Sequence, residues 1–103
     1  MHVISMKRLR EFWQSGHRKA EQPLRDWYRI ARRSVWRNIA EVRQVFGTAD
    51  PVKVRSGSTM TVFNIAGNDY RLVARVEYNT GRVYIKSVMT HAEYTNGRWK
   101  ELL

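Results

Sequence analysis

The chain predicts a single α+β domain over residues 1–103, with an N-terminal strand and helices packed on one face of an antiparallel sheet. Two observations carry this. Apolar residues recur at helical spacing up to about residue 46, and the period then changes to 2 from residue 59 onward. The second half is also rich in β-branched and aromatic residues separated by Gly/Asn turn signals. A hydrophobic content of 43% is enough for one modest core, and the length leaves no room for a second.

The order read from the chain is β-α-α-α-β-β-β with a short C-terminal helical turn. Residues 2–5, HVIS, form the first strand. Ser5 stands where an N-cap would start a helix, and Met6, Leu9, Phe12 and Trp13 make one helical face before Gly16 interrupts. A second helix covers about 20–33, with Ala20, Leu24, Trp27, Tyr28 and Ala31 on one arc and Arg25, Arg29, Arg32 and Arg33 on the next. Pro23 has to sit near its start. Asn38 and Glu41 have capping-box spacing, so Ile39, Val42, Val45 and Phe46 give a third helix that Gly47 ends. Residues 47–58, GTADPVKVRSGS, read as a surface loop with Lys53 and Arg55 projecting. Strands follow at 59–66, 69–78 and 82–89, joined at Gly67-Asn68 and at Asn79-Thr80-Gly81.

Composition excludes several function classes. Without cysteine there is no disulfide, thiolate zinc site or thiol nucleophile. The three histidines, His2, His17 and His91, lack ligand-like spacing, so neither a metal nor another cofactor is expected. No apolar run is long enough to span a membrane. The opening MHVISMKRLREFW places charges where a secretion signal needs an apolar stretch, which points to the cytoplasm. The charge is the strongest signal. Nineteen Lys+Arg against nine Asp+Glu give +10, and arginine outnumbers lysine, so a polyanionic partner, above all nucleic acid, is expected.

Strand alternation then sorts the side chains. A turn at Gly67-Asn68 pairs Asn64 with Arg71 and Val62 with Val73. Phe63, Ile65, Tyr70, Leu72 and Ala74 face the helices, while Asn64, Arg71, Val73 and Arg75 face away. Along the last strand, sending Val83 and Ile85 inward puts Lys86 on the polar face with Arg71. This face leads into VMTHAEY, residues 88–94. Thr90 and Glu93 repeat the capping-box spacing there, and His91 and Tyr94 lie beside them.

The stretches VISMKRLREFW, PLRDWYR, VFGTAD, FNIAGNDYRLVARVEY and VYIKSVMTHAEY cover almost the whole chain. In this order they resemble the HigB toxin family, a branch of the RelE-like toxins of bacterial type II toxin–antitoxin systems. FNIAGNDYRL together with VMTHAEY carries most of the resemblance. The resemblance implies a RelE-like fold and an endoribonuclease that cuts mRNA within the translating ribosome, touching rRNA as it does so. It also implies a helix-turn-helix antitoxin of the HigA type as partner, with operator DNA met only through that antitoxin.

Metal-free RNA cleavage uses the 2′-OH as nucleophile and needs a base, an acid and cations for the phosphorane charge. For these roles the candidates are Arg71 and Lys86 as phosphate cations, His91 as base or acid, and Tyr94 as proton donor or stacking ring. Asn64, Arg75, Lys53 and Arg55 are candidate RNA contacts. Arg25, Arg29, Arg32 and Arg33 are candidates for docking the antitoxin or the ribosome. Asn68 is read as a turn residue, and Thr90 with Glu93 as a cap. Two other classes fit the same residues: a non-catalytic basic RNA- or DNA-binding module, and an antitoxin-like interaction protein whose arginine helix docks an acidic partner.

Overall fold

A computed structural model describes all residues 1–103. The elements are β1 (His2–Ile4), α1 (Met6–Gln14), α2 (Glu21–Arg33), α3 (Ile39–Val45), β2 (Asp50–Lys53), β3 (Thr59–Ile65), β4 (Tyr70–Glu77), β5 (Arg82–Thr90), α4 (His91–Asn96) and α5 (Trp99–Leu102). A 3-10 turn, Arg18–Ala20, leads into α2. The five strands form one sheet in the order β1-β5-β4-β3-β2.

β2 to β5 are antiparallel to their neighbours, but β1 lies parallel to β5, so the sheet is mixed. A parallel pair needs a crossover, and the helical half of the chain supplies it. The segment read as a loop contains β2, which pairs Asp50 with Val62 and Lys53 with Thr59. Its Asp50-Pro51 start is turn-like in composition, yet proline is tolerated in an edge strand, where an N–H can be missing without breaking the ladder. β3 and β4 pair as expected, Asn64 with Arg71 and Val62 with Val73.

The main core lies between the helices and one sheet face. Leu9, Trp13, Leu24, Trp27, Ala31, Trp36 and Val42 meet Phe63, Ile65, Leu72, Ala74, Val83 and Ile85. Trp27, Trp36, Phe46 and Phe63 interlock there with ring centroids 5.2–6.3 Å apart. Pro23 sits in the first turn of α2, where its missing N–H costs nothing. Asn38 caps α3, accepting from the Glu41 N–H at 3.0 Å, but the Glu41 carboxylate turns to Arg37 instead of completing the box. Hydrogen bonds from Arg37 hold that carboxyl below its ordinary range. α3 ends in Phe46, which turns into the core, and Gly47 adopts no left-handed conformation.

The opposite face of the sheet departs from the expected solvent-exposed cationic surface. Met60, Val62, Val73 and Met89 lie on it, and with Val54 and Trp99 they make a second small core. The C-terminal segment therefore covers the part of this face that carries Met60, Val62, Val73 and Met89. Trp99 is only 6% exposed. α5 is also tied to the β2–β3 loop by a hydrogen bond from Arg55 N to the Lys100 carbonyl at 2.9 Å.

Candidate nucleic-acid interface

What remains uncovered is the β5 side of that face, and the turn from β5 into α4 bounds it. Thr90 and Glu93 form the complete capping box. Thr90 Oγ1 accepts from the Glu93 N–H at 3.2 Å, and the Glu93 carboxylate accepts from the Thr90 N–H at 3.0 Å. The first turn of α4 is thereby fixed. A hydrogen bond from His91 N to the Asp69 carbonyl, 3.0 Å, pins that turn to the β3–β4 loop. The His91 imidazole is exposed, and Tyr94 stands on the next turn, half-buried.

Arg71 enters this corner from β4, but not as a free cation. It is 7% exposed. Nη1 donates to the Asn68 carbonyl at 3.2 Å and the Tyr70 carbonyl at 3.0 Å, and Nη2 donates to Asn68 Oδ1. Three of its five donors are thus spent on the turn. Asn68 is more than a conformational choice: its side chain fixes the guanidinium. The guanidinium lies 5.3 Å from the centre of the Tyr94 ring, and Trp99 stacks on the same tyrosine with centroids 5.4 Å apart and planes 19° from parallel. Tyr94 is oriented by both contacts.

Lys86 is not beside Arg71. Arg71 pairs with Met89, so Lys86 is three residues further along β5, about 10 Å at strand rise. The register also slips between Val73 and Ala74, which pair with Ser87 and Ile85. Lys86 is the extra, bulged residue, and a bulge breaks the alternation from which its side was read. Its Nζ lies 5.9 Å from the Tyr84 ring, while Arg75 lies 5.0 Å from the same ring. Arg75 also pairs with Glu77 at 2.8 Å, and its Nε is buried without a hydrogen-bond partner. Arg75, Tyr84 and Lys86 are therefore a second cationic group on the same side.

The other candidates lie apart. Asn64 is exposed opposite Arg71 and adjoins the corner. Lys53 belongs to β2 and Arg55 follows it; β2 is three strand spacings from β5, about 14 Å, with Trp99 packed over the strands between. On α2, Arg25 pairs with Glu21 at 2.9 Å and lies over Trp13 at 4.8 Å, and Arg29 pairs with Asp26 at 3.1 Å. Arg32 and Arg33 are exposed in the last turn, and with Tyr28 and Arg29 they line a groove of about 430 Å³.

Four further residues near this region are not among the sequence-predicted site residues. Arg8 of α1 donates from Nη1 to the Lys86 carbonyl at 3.3 Å. Phe12 and His17 stack at 4.2 Å, nearly parallel, and the Tyr70 ring meets both edge-on. Tyr70 pairs with Thr90, so a second imidazole stands close to the β5–α4 corner, on the helix side of the sheet. Only the alternation that sends Tyr70 inward hints at it. No cluster of His, Asp or Glu suited to a metal ion is present, and no helix is long and apolar enough to cross a membrane.

Comparison with known proteins gives a consistent picture. Residues 20–97 match a family described as HigB_toxin, the RelE-like toxic component of a toxin–antitoxin system. The "mRNA interferase toxin HigB" of Escherichia coli (strain K12) is 52% identical over 33 residues, 32% of each chain. The "mRNA interferase HigB" of Shigella flexneri is equally similar over the same length. Against these two relatives the match spans about a third of their length. The "mRNA interferase HigB" of Escherichia coli O6:H1 is 28% identical over 94 residues, 91% of this chain and 88% of that one.

Proposed function

The chain belongs to the HigB toxin family, the RelE-like toxic components of toxin–antitoxin systems, and from this we propose that it is an mRNA endoribonuclease acting on the translating ribosome. The observation that carries the reading is the β5–α4 corner. There an exposed imidazole and an oriented phenol, His91 and Tyr94, stand on one capped turn beside the Arg71 guanidinium. The names of the relatives, mRNA interferases, support RNA as the substrate.

Cleavage then needs no group beyond these side chains and the RNA. The 2′-oxygen forms a bond to phosphorus, the bond from phosphorus to the 5′-oxygen breaks, and a 2′,3′-cyclic phosphate and a 5′-hydroxyl result. One of His91 and Tyr94 takes the 2′-OH proton and the other gives one to the departing oxygen. Arg71 has two donors left for the phosphorane oxygens, and its internal hydrogen bonds mean that it pays little reorganisation in the transition state. Lys86 lies about 10 Å and Arg75 about 13 Å along the strands from Arg71, distances that suit a different phosphate from the scissile one. Asn64 adjoins the same path; Lys53 and Arg55 would serve RNA further along, at the far sheet edge. Arg32 and Arg33, free of carboxylates, are the docking residues proposed on α2 for a helix-turn-helix antitoxin or for rRNA; Arg25 and Arg29 are already neutralised by their own helix.

The test is primer extension on mRNA bound to programmed ribosomes. His91→Ala and Tyr94→Phe are expected to lower the cleavage rate by about 10²-fold or more while circular dichroism stays unchanged. Wild-type cleavage by both variants would overturn the site, and footprint protection without new 5′ ends would make the protein a binder.

A further inference from the structure

β1 covers only Arg82–Tyr84 of β5, so the outer edge of β5 beyond Tyr84 has no strand beside it. α1 runs along that edge and leaves a groove of about 380 Å³, bounded by Arg8, Glu11, Phe12, Ser15, Lys86 and Ser87. Ser87 also bounds a groove of about 500 Å³ on the α4–α5 side, which includes Glu93 and Asn96. The two grooves meet at the β5 edge and make one path from α4 to α1. Its α1 end combines two cations with an aromatic ring and hydroxyls, and the volume suits a single nucleotide.

His17 adds the feature that selects a base. It occupies the N-cap position of the 3-10 turn, yet its side chain makes no capping hydrogen bond. The ring instead lies flat on Phe12, 4.2 Å away and 8° from parallel, with Tyr70 edge-on at 5.8 Å. The imidazole is half-exposed and held by two aromatic neighbours, which is a preformed stacking platform. Its partner Phe12 lines the groove, where Arg8 and Lys86 are the cations available to a phosphate. The Glu11 carboxylate, 3.8 Å from Lys7, can accept from a base amino group.

We propose that Phe12, His17 and the α1–β5 groove form a subsite that stacks one unpaired RNA base next to the cleavage site. The inference rests on the RNA reading above. It assigns His17 a stacking role rather than proton transfer.

A short single-stranded RNA carrying one 2-aminopurine, whose fluorescence falls on stacking, tests it at low ionic strength. Wild type and His17→Phe are expected to quench the probe, and His17→Ala to abolish quenching and weaken binding by about 10-fold. Ribosomal cleavage by His17→Ala is expected to fall and to be rescued by His17→Phe. If His17→Ala quenches and cleaves like wild type, the subsite is wrong while the nuclease reading stands. If His17→Phe fails to rescue cleavage, the imidazole does chemistry and stacking is refuted. If wild type neither binds RNA nor cuts it on ribosomes, both readings fall together.

Discussion

Trp99→Ala is the substitution that most directly asks whether the C-terminal segment builds the site. Trp99 is 6% exposed and packs on Val54, Met60, Val62, Val73 and Met89. It stacks on Tyr94 and donates from Nε1 to the Tyr94 carbonyl at 3.1 Å. Truncating a buried tryptophan costs about 3–5 kcal/mol. Two of the residues it covers, Val62 and Val73, belong to the paired strands β3 and β4, so the loss reaches the global fold instead of only unpinning a tail. For a domain of this size 1 kcal/mol moves Tm by about 4–8 °C, so a fall of at least about 12 °C is expected. Trp99→Phe keeps the stack and the apolar cover and loses one hydrogen bond, about 1 kcal/mol. Thermal unfolding by circular dichroism reads both variants. Cleavage on ribosomes, measured below the lowered Tm, is expected to drop for Trp99→Ala because Tyr94 loses one of its two ring contacts. A Trp99→Ala protein melting within about 2 °C of wild type would refute the second core as a source of stability. Wild-type cleavage by it would refute Trp99 as a support for Tyr94.

Thr90→Ala removes the acceptor for the Glu93 N–H and should cost about 1 kcal/mol, with Thr90→Ser restoring it; chemical denaturation checks the cost. Its cleavage rate should fall further than its stability, since the cap fixes the turn that carries His91. Tyr78 gives a pH signature. Burial pushes its phenol up from the ordinary value near 10, against a smaller opposing effect of a hydrogen bond with Thr61. The folded state thus prefers the neutral phenol: its contribution is fully present below pH about 10 and is lost as pH rises through the higher folded value. Tyr78→Phe is expected to lose less Tm than wild type on alkaline titration past that point, and parallel curves for the two proteins would refute the shift.

Local chemistry made much of the fold readable. Gly67-Asn68 sets the β3–β4 register, and the three-residue spacing of Thr90 and Glu93 identifies the α4 cap. Readings failed where a neighbour distant in sequence decides the outcome. β2 is a strand because β3 offers it an edge, although Asp50-Pro51 reads as a loop. Counting alternate residues along β5 placed Lys86 with Arg71, and one bulged residue separated them. Trp99 becomes a core residue only because Met60, Val62, Val73 and Met89 present an apolar stripe across three strands. Phe12, His17 and Tyr70 are brought together by the packing of α1 on the sheet, which no spacing encodes.

A net charge of +10 points to a polyanion, but the structure divides that charge into kinds with different uses. Arg71 is buried, hydrogen-bonded and fixed against Tyr94, so its field is preorganised, as the transition-state role proposed for it requires. Arg75 and Lys86 share Tyr84 and are half-exposed, which fits recognition of a backbone that slides past them. Arg32 and Arg33 are exposed side chains at the end of α2 with no carboxylate partner; they gain most from long-range attraction and lose most to salt. On the proposed reading, raising ionic strength weakens docking through α2 before it weakens the chemical step at the β5–α4 corner, because Arg32 and Arg33 are exposed while Arg71 is buried.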